Sequence, residues 1–293
     1  HAHRLPHQLA RPMTRPEAPL AGQVAIVTGG GGGIGRAIAI AYAEAGADVV
    51  IADIIPERCD EVAQRVRHSG RQALAVPTDV TDTEQVSAMV ETAARTCGRI
   101  DILVNNAGGT AHRAFLDQSE QSWRRHIDLN LVRMLAATSA AVPHSVAGGS
   151  GGSIINVSSI EGTRAAPNFA VYGACKAAML NFTRSMALEL SEYSIRVNAI
   201  TPDYIVTPGL RGNTSGPVDP DNWTTPDPAH ELATARRIPL GRTGTAAECA
   251  SVALFLASPT SAYLTGTAIP LDGGTSASSG WIRDAAGNWT LTG

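Results

Sequence analysis

The stretch TGGGGGIG, residues 28–35, decides the fold class. It follows the short apolar run VAIV at residues 24–27 and opens an amphipathic run that begins at Ile34. Its glycines Gly29, Gly33 and Gly35 fit the pattern T-G-x-x-x-G-x-G. Glycine lets backbone approach a pyrophosphate, and a helix N-terminus offers free N–H groups and a partial positive charge. A strand, a glycine-rich turn and a helix in this order predict a dinucleotide-binding unit.

The same alternation of short apolar and longer amphipathic runs continues from Gln23 to Gly274. Predicted helices cover residues 34–45, 56–69, 83–97, 120–142, 172–191 and 246–257. The predicted strands are VAIVTG, ADVVIAD, QALAVPTD, RIDILVNNAG, GGSIINVSS, SIRVNAITP and TAIPLDGG. Strands that are apolar throughout and joined by helices predict a parallel sheet covered on both faces. The expected fold is therefore α/β, a single Rossmann-type doubly wound parallel sheet of about seven strands.

Composition shifts divide the chain into segments. Residues 23–274 are predicted to form one dinucleotide-binding catalytic domain, residues 1–22 an N-terminal extension and residues 275–293 a C-terminal tail. Met13 precedes a run that leads straight into the first strand, so residues 1–12 are expected to be an upstream or added extension. Residues 203–237 are rich in proline and lack periodicity, and they follow the carboxyl end of a strand. An irregular segment there predicts a substrate lid, with a plain surface loop as the alternative.

Composition excludes several classes of function. The chain has 293 residues, a formal net charge of −3 and no long basic block, which argues against nucleic acid or an anionic membrane as a partner. Its apolar runs stay short of the roughly 18–20 residues that cross a bilayer. Cys59, Cys97, Cys175 and Cys249 are scattered singly, without zinc spacing. We therefore expect reduced thiols, no metal site and a cytoplasmic protein.

An acidic residue ends the second predicted strand and bears on the choice of cofactor. A carboxylate at Asp53 can accept hydrogen bonds from a ribose diol and would repel a 2′-phosphate. No Arg or Lys lies among Gly30–Gly32 or directly after Asp53. The sequence predicts NAD rather than NADP, with a solvated strand-end acid as the alternative.

Four motifs in order carry a family resemblance. TGGGGGIG, NNAG at Asn105–Gly108, Tyr172-x-x-x-Lys176 and LDGG at residues 271–274 together resemble the short-chain dehydrogenase/reductase family. The match covers nearly all of residues 23–274. It implies an oxidoreductase that transfers hydride between a secondary alcohol or ketone and the nicotinamide ring.

The resemblance also implies a catalytic tetrad. Its members would be Tyr172 and Lys176, Ser159 at the family's spacing before the tyrosine, and Asn130 in the preceding long helix. By resemblance, Tyr172 exchanges a proton with substrate, Ser159 polarises the substrate oxygen, Asn130 holds a relay water and Lys176 bonds the ribose. The alternative interpretations are a strand-end cap for Ser159, a polar residue inside a helix for Asn130, and an amphipathic pair at a helix start for Tyr172 and Lys176.

The spacing of the tyrosine and the lysine has a physical consequence of its own. Residues i and i+4 share a helix face, so Tyr172 and Lys176 can act on one ligand. A free tyrosine has a pKa near 10, and reaching the working range needs a shift of about 2–3 units. An ammonium about 4 Å away supplies about 4 kcal/mol at an effective dielectric constant near 20. We therefore expect Lys176 to lower the Tyr172 pKa, while Cys175 between them is expected to be an inert buried thiol.

Further positions follow from the resemblance. After the sixth strand the family usually has Pro-Gly, whereas this chain has Pro202-Asp203. The acid would lie at the lid hinge or bond a polar group of the substrate, and the alternative is a turn residue that faces solvent. The expected substrate pocket is Ile160, Phe169, Asp203, Tyr204 and Trp223. The expected cofactor-binding residues are Gly29, Gly33, Ile34, Gly35, Asp53, Asp79, Val80, Asn105, Asn106, Ala107, Gly108, Tyr172, Lys176, Pro202, Ile205 and Thr207.

Three functions compete at this stage. The first is an NAD-dependent dehydrogenase acting on a mid-sized, partly apolar secondary alcohol such as a terpenoid, steroid or cyclic alcohol. The second is an NADPH-linked 3-oxoacyl-type carbonyl reductase, against which Asp53 speaks. The third is a catalytically silent nucleotide-binding regulator, which an intact tetrad disfavours. Enoyl reductases of this superfamily use a longer Tyr–Lys spacing and fit poorly.

The helix that begins near Tyr172 is apolar on most of its circumference, which predicts a homodimer or homotetramer.

Overall fold

A seven-stranded parallel sheet forms the centre of the molecule. The computed structural model describes residues 18–291. The strand order in the sheet is β3-β2-β1-β4-β5-β6-β7, so β2 and β3 lie on one side of β1 and β4 to β7 lie on the other. This confirms the doubly wound α/β prediction. The strands are β1 Val24–Thr28, β2 Asp48–Asp53, β3 Ala73–Pro77, β4 Ile102–Asn105, β5 Gly152–Val157, β6 Ile195–Pro202 and β7 Ala268–Leu271.

Helices cover both faces of the sheet and close two apolar layers. The helices are α1 Gly33–Glu44, α2 Pro56–His68, α3 Thr83–Cys97, α4 Glu120–Ile127, α5 Arg133–Gly148, α6 Ala170–Glu189, α7 Pro228–Arg237, α8 Ala246–Ala257 and α9 Thr275–Ser278. One apolar layer lies between the sheet and helices α1, α2 and α8, with Ile38, Val62 and Leu256 fully buried. The other lies between the sheet and helices α3, α5 and α6, and it contains the buried Met89 and Ala137.

Local sequence sets the ends of these helices. Asp82 caps α3 by accepting hydrogen bonds from two backbone N–H groups, and Gly98 ends the helix in the left-handed conformation at φ 76°. Thr245 and Glu248 form a reciprocal capping box at the start of α8. The predicted bounds of α3 and α8 are accordingly confirmed.

The long helix predicted at residues 120–142 is wrong in two respects. A π-helical turn at Asp128–Val132 separates α4 from α5, and α5 continues through Pro143 to Gly148. A π turn inserts one residue into the α-helical ladder, a change that leaves no hydrophobic signature. It is the segment that carries Asn130.

Three further segments differ from the sequence prediction. The irregular segment 203–237 ends in a helix, α7, which Asp227 caps and Pro228 opens. The tail contains a hairpin, β8 Ile282–Arg283 and β9 Trp289–Thr290. The extension boundary at residue 22 falls too late, because Leu20 is fully buried in the core. The prediction for residues 1–12 lies outside the described residues.

Candidate active site

A large cavity lies at the carboxyl ends of the sheet strands, beside β1 and β4. Its volume is about 1220 Å³. In an open parallel sheet this crevice is where ligands bind. Most of the residues predicted to bind cofactor line it, namely Gly29, Gly33, Ile34, Asp53, Asp79, Val80, Asn106, Ala107, Gly108, Tyr172, Lys176, Pro202, Ile205 and Thr207.

The glycine turn leaves no room for side chains. A Cβ on Gly29 would lie 2.8 Å from the Ala107 Cα, and one on Gly35 would lie 2.1 Å from the Gly29 carbonyl oxygen. The Asn106 side chain ties the turn to β4 by donating to the Thr28 and Gly29 carbonyls. Gly35 does not line the cavity, so its predicted contact with cofactor becomes a packing role inside the turn.

The second strand places a carboxylate at the glycine turn. Asp53 Oδ2 accepts a hydrogen bond from the Gly31 N–H at 3.0 Å, and Oδ1 accepts one from the Ile55 N–H at 3.1 Å. Asp79 lies further along the same wall, where its Oδ1 accepts hydrogen bonds from the Thr81 N–H and hydroxyl. A tight glycine turn, a helix N-terminus and a carboxylate in one crevice fit a dinucleotide.

Arg58 also belongs to this end of the cavity, and the sequence analysis missed it. It is 8% exposed, and its Nη1 would lie 3.2 Å from a Cβ on Gly32. Its Nε donates to the Gly216 carbonyl at 2.6 Å and its Nη2 to the Asn213 carbonyl at 2.9 Å. The sequence prediction considered Gly30–Gly32 and the positions directly after Asp53, whereas the first turn of α2 brings Arg58 back to the glycine turn.

At the other end of the cavity, Ser159, Tyr172 and Lys176 converge. Lys176 Nζ donates to the Val157 carbonyl at 2.8 Å and lies 5.5 Å from the centre of the Tyr172 ring. Ser159 lies two residues after the end of β5 and caps a 3₁₀ turn at Ile160–Gly162. A Cβ on Gly162 would lie 2.7 Å from the backbone of Lys176, so this glycine lets the turn press against α6. That close approach brings the serine to the tyrosine.

The charges at this end differ from the sequence prediction. Burial raises the Tyr172 pKa, while the Ser159 hydrogen bond and the positive charge of Arg133 act to lower it. Burial also holds the Lys176 pKa well below its usual range, and Arg133 lowers it further. The net shift of the Tyr172 pKa in the chain alone is therefore upward, because desolvation outweighs the attraction between neighbours, and the predicted lowering by Lys176 together with a positive nicotinamide stays a prediction. Burial likewise raises the pKa of the Cys175 thiol.

Asn130 occupies the π turn and is fully buried. Its Nδ2 donates to the Gly109 carbonyl at 2.9 Å and the His126 carbonyl at 3.0 Å, and its Oδ1 accepts from the Gly109 N–H. The side chain thus clamps the loop after β4 and stands behind the cavity wall. Asn105 does not line the cavity, contrary to prediction, because its amide donates to Thr138 and Asn156 inside the core.

Of the five residues predicted to form the substrate pocket, one lines this cavity. Asp203 lines the cavity, whereas Ile160 is buried beneath it and Tyr204 lines a separate pocket of about 220 Å³. Phe169 reaches the site indirectly, with its ring centre 6.4 Å from that of Tyr172. Trp223 turns inward, where its indole nitrogen is buried and has no hydrogen-bond partner among residues 18–291.

Asp203 stands where the lid leaves the sheet. Its carboxylate lies 3.3 Å from Arg237 Nη2 on α7 and 3.8 Å from Arg164 Nη2. The residue that departs from the family pattern therefore connects the two ends of the segment 203–237. The reading of Asp203 as a turn residue facing solvent is wrong, because its side chain is 8% exposed.

Two classes of site have no support within residues 18–291. No group of three or more His, Cys, Asp or Glu side chains there is arranged to hold a metal ion. No helix in that range is long and apolar enough to cross a membrane. The four cysteines are unpaired thiols.

Comparisons with known proteins show the family to which the chain belongs. A family model described as enoyl-(acyl carrier protein) reductase matches residues 29–276. A cis-4-hydroxycyclohexanecarboxylate dehydrogenase from Sinomonas cyclohexanicum is 40% identical over 254 residues, which cover 86% of this chain and 96% of that protein.

Solved structures agree as well. A short-chain type dehydrogenase/reductase from Mycobacterium marinum is 35% identical with a TM-score of 0.79, covering 88% of this chain and 97% of that one. Carveol dehydrogenase from Mycobacterium avium in complex with NAD is 32% identical with a TM-score of 0.82, covering 88% and 99%. The chain belongs to the short-chain dehydrogenase/reductase family and is an oxidoreductase.

Proposed function

We propose that this oxidoreductase interconverts a secondary alcohol and a ketone with NAD(H) as cofactor. The observation that carries the proposal is the placement of Ser159, Tyr172 and Lys176 on one wall of a cavity whose other end holds the glycine turn and Asp53. A proton-transfer group and a dinucleotide cradle then face the same space. The cofactor would be held by the glycine turn, Asp53, Asp79, Val80 and the loop Asn106–Gly108, with Thr207 and Lys176 at the nicotinamide end.

The chain's own residues divide the chemistry. When bound, the nicotinamide ring supplies the hydride acceptor for oxidation and the hydride donor for reduction. Tyr172 removes the hydroxyl proton of the alcohol, or returns it to the ketone oxygen, as general base or acid. The Ser159 hydroxyl donates to the same oxygen and stabilises the charge that develops there. Because Tyr172 must be ionised to act as a base, oxidation gains rate as the pH rises through its pKa, and reduction loses rate.

The preference for NAD over NADP rests on Asp53. Its Oδ2 accepts a hydrogen bond from the Gly31 N–H of the glycine turn and its Oδ1 one from the Ile55 N–H, so a 2′-phosphate on an adenosine ribose bound there would meet a carboxylate. Arg58 is the nearest cation to the same turn, but its Nε and Nη2 are engaged by carbonyls of residues 213–216. The carveol dehydrogenase structure contains NAD, which supports the same choice.

The substrate class we propose is a mid-sized cyclic alcohol, partly apolar. The cavity leaves room for such a molecule beside the nicotinamide end, and Asp203 with its two arginines supplies polar groups at the lid hinge. The relatives named above include dehydrogenases of a hydroxycyclohexane acid and of carveol, both cyclic alcohols. The alternative, a 3-oxoacyl-type reductase, takes its support from the description of the matching family model and predicts preference for NADPH.

The assembly and location we propose are a homodimer or homotetramer in the cytoplasm. Leu188 on α6 and Tyr263 after α8 are large apolar side chains that are 78% and 104% exposed in the single chain. Burying them against a second copy removes that area from water. Light scattering is expected to give a multiple of 30.4 kDa, and a monomer would contradict the assembly. Unpaired thiols fit a reducing compartment.

A panel assay tests the proposed function. The protein is incubated with NAD or NADP and with carveol, cis-4-hydroxycyclohexanecarboxylate and a hydroxysteroid, and formation of reduced nucleotide is followed by absorbance. We expect turnover of at least one cyclic alcohol and a higher kcat/KM with NAD. A higher kcat/KM with NADP would favour the reductase alternative. Binding of NAD without turnover of any alcohol or ketone would favour a silent regulator.

A further inference from the structure

Arg58 on α2 is a buried cation that lies between the glycine turn and the predicted lid. It is 8% exposed and lines the large cavity. Two of its three guanidinium nitrogens are engaged by lid carbonyls. Nε donates to Gly216 at 2.6 Å, and Nη2 donates to Asn213 at 2.9 Å and to Ser215 at 3.4 Å. The third nitrogen, Nη1, donates to no group in the part of the chain that the structure describes.

This third nitrogen lies at the start of α1. Gly32 is the N-cap of that 12-residue helix and has no side chain with which to cap it. A Cβ built on Gly32 would lie 3.2 Å from Arg58 Nη1, so the guanidinium lies where a side chain of the turn would be. The first N–H groups of a helix have no partner within the helix and carry a partial positive charge. Arg58 adds a full charge there, because a guanidinium is protonated at any working pH.

No carboxylate neutralises this charge by direct contact. Asp53 lies across the turn from Arg58, since a Cβ on Gly31 would lie 3.0 Å from Asp53 Oδ2 and 2.7 Å from the Arg58 Cβ. The Asp53 oxygens instead accept hydrogen bonds from the Gly31 and Ile55 N–H groups. Arg58 forms no ion pair within residues 18–291. Carbonyl groups alone hold the cation, and a buried charge without a counter-charge is costly.

We propose that Arg58 is a cofactor-binding residue that donates through Nη1 to the diphosphate of the nucleotide, while Nε and Nη2 keep their lid carbonyls. A phosphate oxygen at the N-terminus of α1 supplies the anion that the guanidinium lacks. A 2′-phosphate is the poorer partner, because it would also meet Asp53. One side chain then joins the nucleotide to residues 213–216. The inference rests on the proposed nucleotide site and not on the proposed reaction.

Binding of nucleotide fragments that lack nicotinamide tests the proposal. The Kd values of ADP and adenosine are measured in wild type and Arg58→Gln by ligand-detected NMR titration, which reaches weak affinities. Only ADP carries the diphosphate. We expect Arg58→Gln to raise the Kd of ADP about tenfold, the value of a charge-assisted hydrogen bond, and to leave that of adenosine within about twofold. The control Arg67→Gln, which removes an exposed arginine of α2 that donates to the Ala73 carbonyl, should change neither Kd.

Three outcomes would overturn the inference. An equal loss of affinity for ADP and adenosine would show that Arg58→Gln only loosens the lid. Unchanged affinities would show that Nη1 does not bind the nucleotide. A loss confined to 2′-AMP, titrated in parallel, would place the guanidinium at a 2′-phosphate instead.

A measurement on wild type decides the question if Arg58→Gln does not fold. At equal saturation, ADP should slow proteolysis of residues 209–223 several-fold more than adenosine does, because only the diphosphate restrains the arginine that holds the lid. Equal protection by the two fragments would contradict the proposal. Failure of both fragments to bind wild type would reject the nucleotide site together with this inference, whereas ADP binding without alcohol turnover would reject only the proposed reaction.

Discussion

At the scale of single residues, the sequence indicated which side chains share the cavity wall but not their electrostatics. Tyr172 and Lys176 were found from their spacing, and the structure places both on the cavity wall with Ser159. The sign of the Tyr172 pKa shift was not predictable, because it depends on how completely the folded chain excludes water from the phenol. The burial of Arg133 was not predictable either, because nothing in the sequence of a helical run shows that its one arginine points inward.

The cofactor preference depends on Asp53. Replacing Asp53 by Ala removes the acceptor that would serve a ribose diol and the charge that would repel a 2′-phosphate. We expect the ratio of kcat/KM for NAD to that for NADP to fall by about tenfold or more, the value of one or two hydrogen bonds to a charged group. Steady-state kinetics with both nucleotides measure the ratio.

The matched control is Asp60→Ala, which removes an exposed acid from α2 and should leave the ratio unchanged. An equal ratio in Asp53→Ala and wild type would show that Asp53 does not select the nucleotide. A fall in both variants would point to the net charge of the surface instead.

At the scale of elements, hydrophobic periodicity and the residues that cap or end helices predicted the strands and most helices. The helix bounds at α3 and α8 were predictable because their caps are coded locally, by Asp82 with Gly98 and by Thr245 with Glu248. The π turn around Asn130 was not, because it depends on the packing of the loop after β4 against the side chain. The helix α7 and the β8–β9 hairpin were missed because short elements among prolines and glycines give little periodic signal.

The glycine turn has no room for a side chain at Gly35, the third glycine of the T-G-x-x-x-G-x-G pattern. In Gly35→Ala the new Cβ would lie 2.1 Å from the Gly29 carbonyl oxygen, which is backbone and has little freedom to move. We expect a loss of about 1–3 kcal/mol in the free energy of unfolding, together with weaker nucleotide binding, because the turn must open. Urea unfolding and nucleotide titration measure the two effects.

Gly70→Ala is the control for this change. Gly70, unlike Gly35, lies at positive φ, 75°, but a Cβ there has nothing within 4 Å. It should cost only the strain of its backbone, about 1 kcal/mol, and leave nucleotide binding intact. If nucleotide binds Gly35→Ala and Gly70→Ala equally well, the turn is not the cradle we describe.

At the scale of the whole molecule, topology joins positions that are far apart in sequence. Arg58 on α2 meets the carbonyls of residues 213–216, and Asp203 meets Arg237. The sequence predicted that the segment 203–237 is a lid, from its prolines and its place after β6. It could not show what the lid touches, since those contacts depend on tertiary packing, and four of the five predicted pocket residues consequently do not line the cavity.

Arg58 should hold the lid against the glycine turn. Arg58→Gln removes the guanidinium that donates to Asn213, Ser215 and Gly216. We expect a protease to cut residues 209–223 several times faster than in wild type, because cleavage follows the population of the open segment. Arg65→Gln, on the exposed face of α2 and paired with Glu61, should be cut at the wild-type rate. Equal cleavage of wild type and Arg58→Gln would show that the arginine does not restrain the lid.

The central claim is that Tyr172 is the proton-transfer group of an NAD(H)-linked oxidoreductase, and Tyr172→Phe tests it most directly. The variant keeps the ring that packs against Phe169 and loses only the hydroxyl. Nucleotide affinity and turnover are measured side by side in wild type, Tyr172→Phe and Tyr193→Phe, an exposed control. The account predicts unchanged NAD affinity and a loss of at least about a hundredfold in kcat for Tyr172→Phe alone. Turnover within a few fold of wild type would contradict it.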